Sequence, residues 1–438
     1  MKGKALFLLL AGGAIAVLVG AVAISAVGDH LAGEHAAAMP ARSAALIERG
    51  AYLARLGDCE ACHSISGQPA FSGGLRMQTP IGAIYSTNIT PDDTDGIGRF
   101  SLADFDRALR YGVANGHSLY PAMPFTSYYN TRPEDVQALY AYFQYAVAPA
   151  HVPNRYSDIP FPLSMRWPLT YWRWFFASSP VPFRAPADED AALAQGAYFV
   201  DGLGHCGECH TPRNVFMQLT AVTRSGGPAY LRGAVIETYF APSLRSDGPG
   251  SLQDWSEEQL TQFLRTGANS GGIAFGSMSD VIVHSTQHMT ETDAKATAHY
   301  LKSLDTENTA ERPYTYDSST SQSLRKGDAS MEGASVYLDS CAACHRPDGH
   351  GYERVFPALA GNPVVEAQNA DSIVSIILRG SQTPRTAQTP AQFRMPGFAW
   401  RLSDVQVMQV TNFVRSSWGN RGPEVTLEEV TRLRSQSH

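Results

Sequence analysis

The sequence has no cysteine outside three short motifs, and it contains little lysine. Lysine occurs five times in 438 residues, and charged residues make up 17% of the chain. The net charge of -7 argues against nucleic acid as a partner, because a nucleic-acid-binding surface needs excess positive charge. The sequence also lacks a glycine-rich dinucleotide fingerprint and a nucleophile elbow. We therefore expect no independent catalytic site.

All six cysteines lie in three copies of Cys-x-x-Cys-His, at residues 59–63, 206–210 and 341–345. This pattern is the attachment signature of c-type haem: two thiols one helical turn apart bond to the porphyrin, and the adjacent imidazole binds the iron. One copy alone is also compatible with a zinc half-site, a redox pair or a disulfide. A zinc site, however, pairs two such motifs at short spacing, whereas these copies begin 147 and 135 residues apart. Each copy therefore predicts its own haem unit.

The motifs predict three covalently bound haem c groups. The attachment residues are Cys59, Cys62, Cys206, Cys209, Cys341 and Cys344. One axial ligand of each iron is predicted to be His63, His210 or His345.

The N-terminus carries a long uncharged run. Residues 5–27 contain no charge and follow Lys2 and Lys4. As a helix this run would be about 35 Å long, which is enough to cross a bilayer core. It is longer than the apolar region of an ordinary cleavable signal, although cleavage near residues 36–38 is an alternative. We expect a retained transmembrane anchor, or otherwise a signal helix, with the remainder of the chain exported.

Each haem motif belongs to a repeated order of elements. A Gly-Ala pair begins at Gly50, Gly196 and Gly333 ahead of the motifs, and it predicts an N-terminal helix that packs on the last helix of the same unit. Penultimate helices that end in Arg-x-Gly or Arg-Gly are predicted over residues 101–111, 256–265 and 370–379. Final helices are predicted over residues 133–146, 291–304 and 404–416. Thr131 and Ser403 have the spacing of a capping box.

This order of elements resembles the class I cytochrome c fold, in which a small helical shell surrounds the haem. The predicted fold is mainly α, with three consecutive cytochrome c-like domains behind the N-terminal helix. The predicted boundaries are an anchor or signal over 1–40, domains over 41–155, 187–306 and 327–420, an aromatic and proline-rich linker over 156–186, a polar linker over 307–326, and a C-terminal tail over 421–438.

The second axial ligand of each iron is predicted to be methionine. Met123 and Met395 each stand eight residues before the capping residue of a final helix. In the middle unit Met278 and Met289 compete, and we favour Met278 because Met289 would lie at the entry of the helix. Two histidines are alternatives if the middle iron has two histidine ligands, His284 and His288.

A proximal histidine also needs its second ring nitrogen held by a carbonyl or a carboxylate. Pro357 lies at a suitable separation from His345 for its carbonyl to serve. In the first unit the carbonyl of Pro80 is a weaker candidate for the partner of His63. In the middle unit the sequence offers no clear choice of carbonyl for His210.

Residues 160–183 hold three of the six tryptophans, and their prolines exclude one long helix. The aromatic side chains are suited to a quinone pocket or to the membrane interface. A packed belt between domains is the simpler interpretation. The side chains concerned are Trp167, Trp172, Trp174, Phe175 and Phe176.

With these motifs in place, the sequence resembles the triheme cytochrome c subunits of membrane-bound alcohol, aldehyde and gluconate dehydrogenases of acetic acid bacteria and related organisms. The resemblance covers residues 45–418. It rests on residues 57–63, 87–92, 120–125, 165–169 and 285–290 and on the third haem motif.

The resemblance implies an electron conduit at the periplasmic face of the cytoplasmic membrane. It takes electrons from a catalytic subunit, which is a quinoprotein, flavoprotein or molybdoprotein, and reduces ubiquinone. The resemblance also implies Met123, Met278 and Met395 as axial ligands. The long N-terminal helix is instead similar to versions paired with molybdenum-type aldehyde or heteroaromatic dehydrogenases. A haem peroxidase with an open sixth position and a free-standing shuttle to a terminal oxidase are the other hypotheses.

Overall fold

The computed structural model describes residues 2–33, 42–177, 179–245, 252, 254–304 and 314–436, and it leaves the side chains of residues 2–12 and 14 undescribed. The chain divides into two compact units, Met1–Arg184 and Ala185–His438. The first unit contains one Cys-x-x-Cys-His motif, and the second contains the other two. Both units are mainly helical, as predicted, and their described strands form short two-stranded antiparallel hairpins.

The described elements of the first unit are α1 (Lys2–His30), α2 (Ala44–Leu56), α3 (Cys59–His63), β1 (Arg76–Thr79), β2 (Gly82–Tyr85), α4 (Leu102–Tyr111), β3 (Val113–Ala114), β4 (His117–Ser118), α5 (Phe125–Tyr128), α6 (Pro133–Tyr145) and α7 (Trp167–Phe176).

The described elements of the second unit are α8 (Ala191–Tyr198), a π-helical segment (Phe199–Leu203), α9 (Gly207–His210), a 3-10 turn (Arg224–Gly226), β5 (Ala234–Ile236), β6 (Tyr239–Ala241), α10 (Glu257–Thr266), α11 (Ser277–His284), a second 3-10 turn (Thr286–His288), α12 (Glu291–Ser303), α13 (Ser319–Arg325), α14 (Ala334–Ser340), α15 (Ala342–His345), α16 (Pro363–Glu366), α17 (Asp371–Arg379), β7 (Gly380–Gln382), β8 (Arg394–Pro396), α18 (Asp404–Ser416) and α19 (Leu427–Ser435).

The helix before each haem motif crosses the final helix of its repeat at a glycine. A Cβ atom on Gly50 of α2 would lie 1.9 Å from the carbonyl oxygen of Ala138 in α6. The corresponding distances to carbonyl oxygens of α12 and α18 are 2.1 Å for Gly196 and 2.2 Å for Gly333. Any side chain at these positions would force the helices apart, because packed interiors leave no room for extra atoms. The three Gly-Ala pairs thus mark three close helix crossings.

Helices α4, α10 and α18 begin at local signals in the sequence. Ser101, Ser256 and Ser403 form capping boxes at their respective starts. The box expected at Ser403 is therefore confirmed. The box expected at Thr131 is wrong, since α6 is preceded by Arg132, which makes no side-chain cap, and has a proline in its first turn.

The N-terminal helix α1 includes the run predicted as a membrane anchor, and the side chains of residues 5–12 and 14 of that run are not described. The cleavage alternative at residues 36–38 also lies outside the described residues. In the part of the chain that is described, no helix combines the length and the apolarity needed to cross a membrane.

The end of α1 is attached to the rest of the first unit through polar contacts. The carboxylate of Asp29 is buried, accepts a hydrogen bond from Ser118 Oγ at 2.8 Å and pairs with Arg173 at 3.0 Å. Tyr171 donates its hydroxyl proton to the carbonyl of Ala21 at 2.9 Å. Helix α1 and the aromatic helix α7 are therefore held side by side.

The aromatic segment around α7 is partly packed and partly exposed. Trp174 lies so close to α1 that a Cβ atom on Gly28 would fall 2.0 Å from its ring. The same Trp174 is 44% exposed, and Phe175 is 75% exposed. The segment therefore packs within the first unit and also leaves an apolar surface in solvent. It is neither only a packed belt nor only an exposed surface for quinone or membrane, which were the two interpretations of the sequence.

Two stretches expected to lack structure contain helices. Helix α13 falls within the predicted polar linker, and Leu324 on it is buried. Helix α19 falls within the predicted C-terminal tail, and Val430 and Leu433 on it belong to the hydrophobic core that also contains Tyr337 and Phe413. The sequence signal was a capping box that begins at Thr426 and precedes apolar residues spaced three apart.

Candidate haem-binding sites

Each Cys-x-x-Cys-His motif forms a single helical turn. His210 donates its backbone N–H to the carbonyl of Cys206 at 3.0 Å, and His345 does the same to Cys341 at 2.9 Å. In the first motif the turn is α3. Residues three apart lie on the same face of a helix, so the two thiols of each motif face the same side. The six cysteine residues are half-buried and are not joined in disulfides.

The three proximal histidines share one hydrogen-bonding arrangement. The Nδ1 atom of His63 lies 2.6 Å from the carbonyl oxygen of Thr87. The Nδ1 atom of His210 lies 2.7 Å from that of Pro242, and the Nδ1 atom of His345 lies 3.0 Å from that of Pro357. The contact of His345 with Pro357 is the one that the sequence predicted.

A carbonyl oxygen can only accept a hydrogen bond, so each Nδ1 atom must carry the proton. Burial lowers the pKa of His63, His210 and His345 below the usual value for histidine. The three rings are therefore neutral and present an unprotonated Nε2 atom, which is the form of imidazole that binds a metal.

The carbonyl partner of His63 was predicted incorrectly. Thr87 serves instead of Pro80, because a buried polar network fixes the loop that carries Thr87. The side-chain amide of Asn88 donates to the carbonyl of Ala150 at 2.8 Å, and the Thr90 hydroxyl donates to the side-chain oxygen of Asn88 at 2.7 Å. Both side chains are buried. Hydrogen bonds to partners about sixty residues away cannot be read from local spacing.

The methionine candidates differ in burial. Met123, Met278 and Met395 are each half-buried, whereas Met289 is buried. Met395 lies on β8, opposite Ser381 of β7, and borders the same hydrophobic core as Cys341. Met278 lies in the first turn of α11. The two alternative histidines also differ, since His284 is half-buried and His288 is exposed.

Comparisons with known proteins agree with this chemistry. A cytochrome c family model matches residues 330–418. The gluconate 2-dehydrogenase cytochrome c subunit of Pantoea cypripedii is 48% identical over 96% of this chain and 94% of that protein. The cytochrome c subunit of alcohol dehydrogenase (quinone) from Gluconobacter oxydans is 45% identical over 89% of this chain and 82% of that protein. This chain belongs to the family of dehydrogenase cytochrome c subunits.

A more distant relative is a subunit of nicotinate dehydrogenase from Pseudomonas putida. It is 37% identical over 85% of this chain, which corresponds to 30% of that longer protein. The predicted family and the predicted role as an electron-transfer subunit are both confirmed by the relatives that are dehydrogenase cytochrome c subunits.

A cytochrome c subunit binds its haem covalently, and the donor set fits that group. Paired thiols on one turn and a neutral imidazole with a fixed tautomer are the groups that c-type haem requires, and a half-buried thioether is one of its usual second axial ligands. The cytochrome c subunit supplies all of these at the third motif, where the family model also matches.

Within the second unit of the cytochrome c subunit, the carbonyl that holds the second proximal histidine is coupled to the third repeat. Pro242 directly follows the β5–β6 hairpin. Phe240 of this hairpin donates its N–H to Ser372 Oγ at 2.8 Å, and the Ser372 hydroxyl donates to the carbonyl of Phe240 at 2.9 Å. Ser375 donates to the carbonyl of Thr238 at 2.7 Å. Helix α17 of the third repeat therefore fixes the hairpin.

Proposed function

We propose that the chain carries three haem c groups in three consecutive cytochrome c-like domains. It passes electrons from a catalytic dehydrogenase subunit to ubiquinone, at the periplasmic face of the cytoplasmic membrane. The proposal rests on one observation above all: three Cys-x-x-Cys-His turns each hold a neutral imidazole through a backbone carbonyl. When bound, a haem iron takes up and returns one electron.

The residues of the chain divide this work in the same way at each motif. The two cysteines tether the porphyrin, so the cofactor cannot dissociate when the charge on the iron changes. The carbonyl of Thr87, Pro242 or Pro357 holds the imidazole ring and increases its basicity as a ligand. Three separate helix crossings at glycine support one domain around each motif.

The proposed sixth ligands are Met123, Met278 and Met395. Methionine sulfur raises the potential of haem iron relative to a second histidine and closes the position at which a peroxidase would bind its substrate. Met278 is preferred to Met289 because the latter is buried to 6% exposure beside the entry of α12. A side chain packed in the core already has its contacts satisfied by protein.

The proposed catalytic partner is an alcohol or gluconate dehydrogenase. Relatives with these names share 45% to 48% identity with the chain over most of its length. A dehydrogenase of the molybdenum type, acting on aldehydes or heteroaromatic compounds, is the second candidate. The relative that is a nicotinate dehydrogenase subunit favours it, but with lower identity, 37%.

Membrane association is proposed from the N-terminal run and from the aromatic surface beside it. Residues 5–27 carry no charge. The described end of α1 exposes apolar side chains, and Trp174 and Phe175 of the adjacent α7 are exposed as well. Aromatic and apolar side chains of this kind gather at membrane interfaces, where the ring is buried among lipid headgroups.

The haem count is tested on the full-length chain produced with the haem-attachment machinery. We expect the intact mass and the pyridine haemochrome spectrum to give three covalent haems. The variants Cys59→Ala, Cys206→Ala and Cys341→Ala should each lose covalent attachment at one motif, while Ser330→Ala, outside the motifs, should keep all three. A wild-type chain with fewer than three covalent haems would refute the proposal.

The partner and the acceptor are tested on detergent-solubilised membranes of the native host. Purification through a tag on the chain should recover a large dehydrogenase subunit, identified by mass spectrometry. Ethanol, gluconate and nicotinate are then added separately, and the substrate that reduces the haems identifies the partner. A water-soluble ubiquinone should reoxidise them. Reduction by none of these substrates, or reoxidation only by a terminal oxidase, would contradict the proposed path.

A further inference from the structure

The helix that leads into the second haem motif contains an extra residue. The segment from Gly196 to Cys206 is one residue longer than the segment from Gly50 to Cys59. Both glycines occupy the same kind of helix crossing, so the additional residue has to be absorbed between crossing and motif. It is absorbed in the π-helical segment Phe199–Leu203, whereas α2 in the first unit is a continuous α-helix. Such π-helical turns are frequent at functional sites.

The π-helical segment places a carboxyl group in the interior. Asp201 is 7% exposed and lies between two fully buried tyrosines. The hydroxyl of Tyr230 donates to Asp201 Oδ1 at 2.5 Å. The hydroxyl of Tyr300, on the final helix α12, lies 2.7 Å and 2.8 Å from the two carboxyl oxygens. Among the described residues, no cation forms an ion pair with Asp201, so tyrosine hydroxyls provide its stabilisation.

The nearest charged side chains surround the cluster formed by Asp201, Tyr230 and Tyr300. The guanidinium of Arg224 lies 5.6 Å from the centre of the Tyr300 ring and forms an ion pair with Glu189. Arg224 is partly exposed, so the cluster extends from the interior to the surface. The negative charge of Asp201 also reaches the haem motif. Burial raises the pKa of the Cys206 thiol, and the charge of Asp201 adds to that rise.

Asp201 is the group in this cluster that can change its charge. Burial raises the pKa of Asp201 to about 6, against the lowering effect of the tyrosine hydrogen bonds and Arg224. Burial, together with the charge of Asp201, raises the pKa of Tyr230 and Tyr300, so both remain protonated donors. Glu189 adds to the upward shift of Asp201.

We propose that Asp201 is a redox-linked proton site: it binds one proton from solvent when the iron at the second motif gains one electron, and it releases that proton when the electron leaves. The electron comes from the dehydrogenase chain, and the proton adds to a carboxylate oxygen, so each reduction consumes one electron and one proton. The inference rests on the proposed haem at Cys206 and Cys209. Its physical basis is that a buried anion stabilises the ferric state and is less favourable beside the more negative ferrous site.

The test is a potentiometric titration of the full holoprotein between pH 5 and pH 8. The midpoint that disappears in the Cys206→Ala/Cys209→Ala variant identifies the second haem. In the wild type this midpoint should fall as the pH rises through the range in which Asp201 titrates. In Asp201→Asn it should stay at the wild-type low-pH value. At pH 8 the electron affinity of the variant should exceed that of the wild type at least tenfold, which corresponds to about 59 mV.

Two further variants separate proton binding from a structural role. Tyr300→Phe removes a donor to the carboxylate, so the pH-dependent interval should move to higher pH. Asp135→Asn alters another buried carboxyl group, which pairs with Arg49 at 2.9 Å in the first unit, and it should leave the second midpoint and its pH dependence unchanged. Reduction should also produce a carboxylic acid C=O infrared band in the wild type that Asp201→Asn lacks.

The outcomes are separable. A protein with three covalent haems whose second midpoint is independent of pH would overturn the role of Asp201 and leave the proposed function intact. The same conclusion would follow if Asp201→Asn kept the wild-type pH dependence. A protein that lacks the second haem would refute the proposed function, and this inference with it.

Discussion

The crossing of α2 and α6 at Gly50 allows a substitution whose cost follows from the structure. In Gly50→Ala the new methyl group would lie 1.9 Å from the carbonyl oxygen of Ala138 and 2.7 Å from the Cβ atom of Tyr142. The two helices would have to part by about 1.5 Å to restore van der Waals contact. A gap of even 0.5–1 Å forfeits a quarter to a half of the dispersion energy of the atoms that line it.

The substitution also has a favourable side, since alanine stabilises a helix interior by about 1 kcal/mol relative to glycine. Overpacking a well-filled core costs about 1–3 kcal/mol, and a contact with backbone belongs at the upper end because a carbonyl cannot rotate away. We therefore expect Gly50→Ala to lower the free energy of unfolding by about 2 kcal/mol. For a unit of this size that corresponds to a decrease in Tm of about 4–8 °C.

The assay is thermal unfolding of the purified holoprotein, followed by circular dichroism at the helix bands and by absorbance of the first haem. Gly20→Ala is the matched control, because Gly20 is also helical and has no atom within 4 Å of its Cβ position. The control should be neutral or slightly stabilising. If Gly50→Ala were as stable as Gly20→Ala, the close crossing would not exist in the folded protein.

Three further perturbations test the ligands, the link between the second and third repeats, and the anchoring of α1. Met278→Leu should shift the reduction midpoint of the second haem and allow the reduced protein to bind carbon monoxide at that iron. Met289→Leu should change only the stability of the protein. The reverse pattern would make Met289 the ligand and Met278 a packing residue. The double variant Ser372→Ala/Ser375→Ala removes three hydrogen bonds, worth about 1 kcal/mol each. It should destabilise the second unit and also shift the reduction midpoint of the second haem. If that midpoint did not change, the hairpin would not hold the Pro242 carbonyl against His210. Asp29→Ala should destabilise the first unit by about 3–5 kcal/mol, because it leaves the buried Arg173 without its carboxylate partner. Asp29→Asn, measured in the same urea titration, should lower the free energy of unfolding by less. Equal losses in the two variants would exclude the charge of Asp29 as the cause.

Local spacing was sufficient for the features that depend on neighbouring residues. The haem motifs, the capping box at Ser403 and the glycine stops of the penultimate helices all act over four residues or fewer, so their geometry is already determined by a short stretch of chain. Helix α19 followed the same rules and was overlooked because the resemblance to the family ends before it.

Features that join distant residues were predicted less well. Thr87 replaces Pro80 as the partner of His63 because Asn88 and Thr90 bind a loop about sixty residues away. No local pattern indicates which carbonyl such a network will bring to an imidazole. For the second motif no carbonyl could be chosen from the sequence, because Pro242 reaches His210 on a hairpin held by serines of the third repeat.

The sequence by itself indicated the chemistry proposed for this protein: which side chains would tether haem, which imidazoles would bind iron, and where most of the helices around them begin. Only the tertiary structure decided what surrounds that chemistry. It assigned the carbonyls that hold His63 and His210, and it placed one carboxyl group between two tyrosines next to the second motif. The physical reason is the range of the interactions, since attachment and capping act within one helical turn, whereas burial and hydrogen-bond partners depend on segments that meet only in the folded chain.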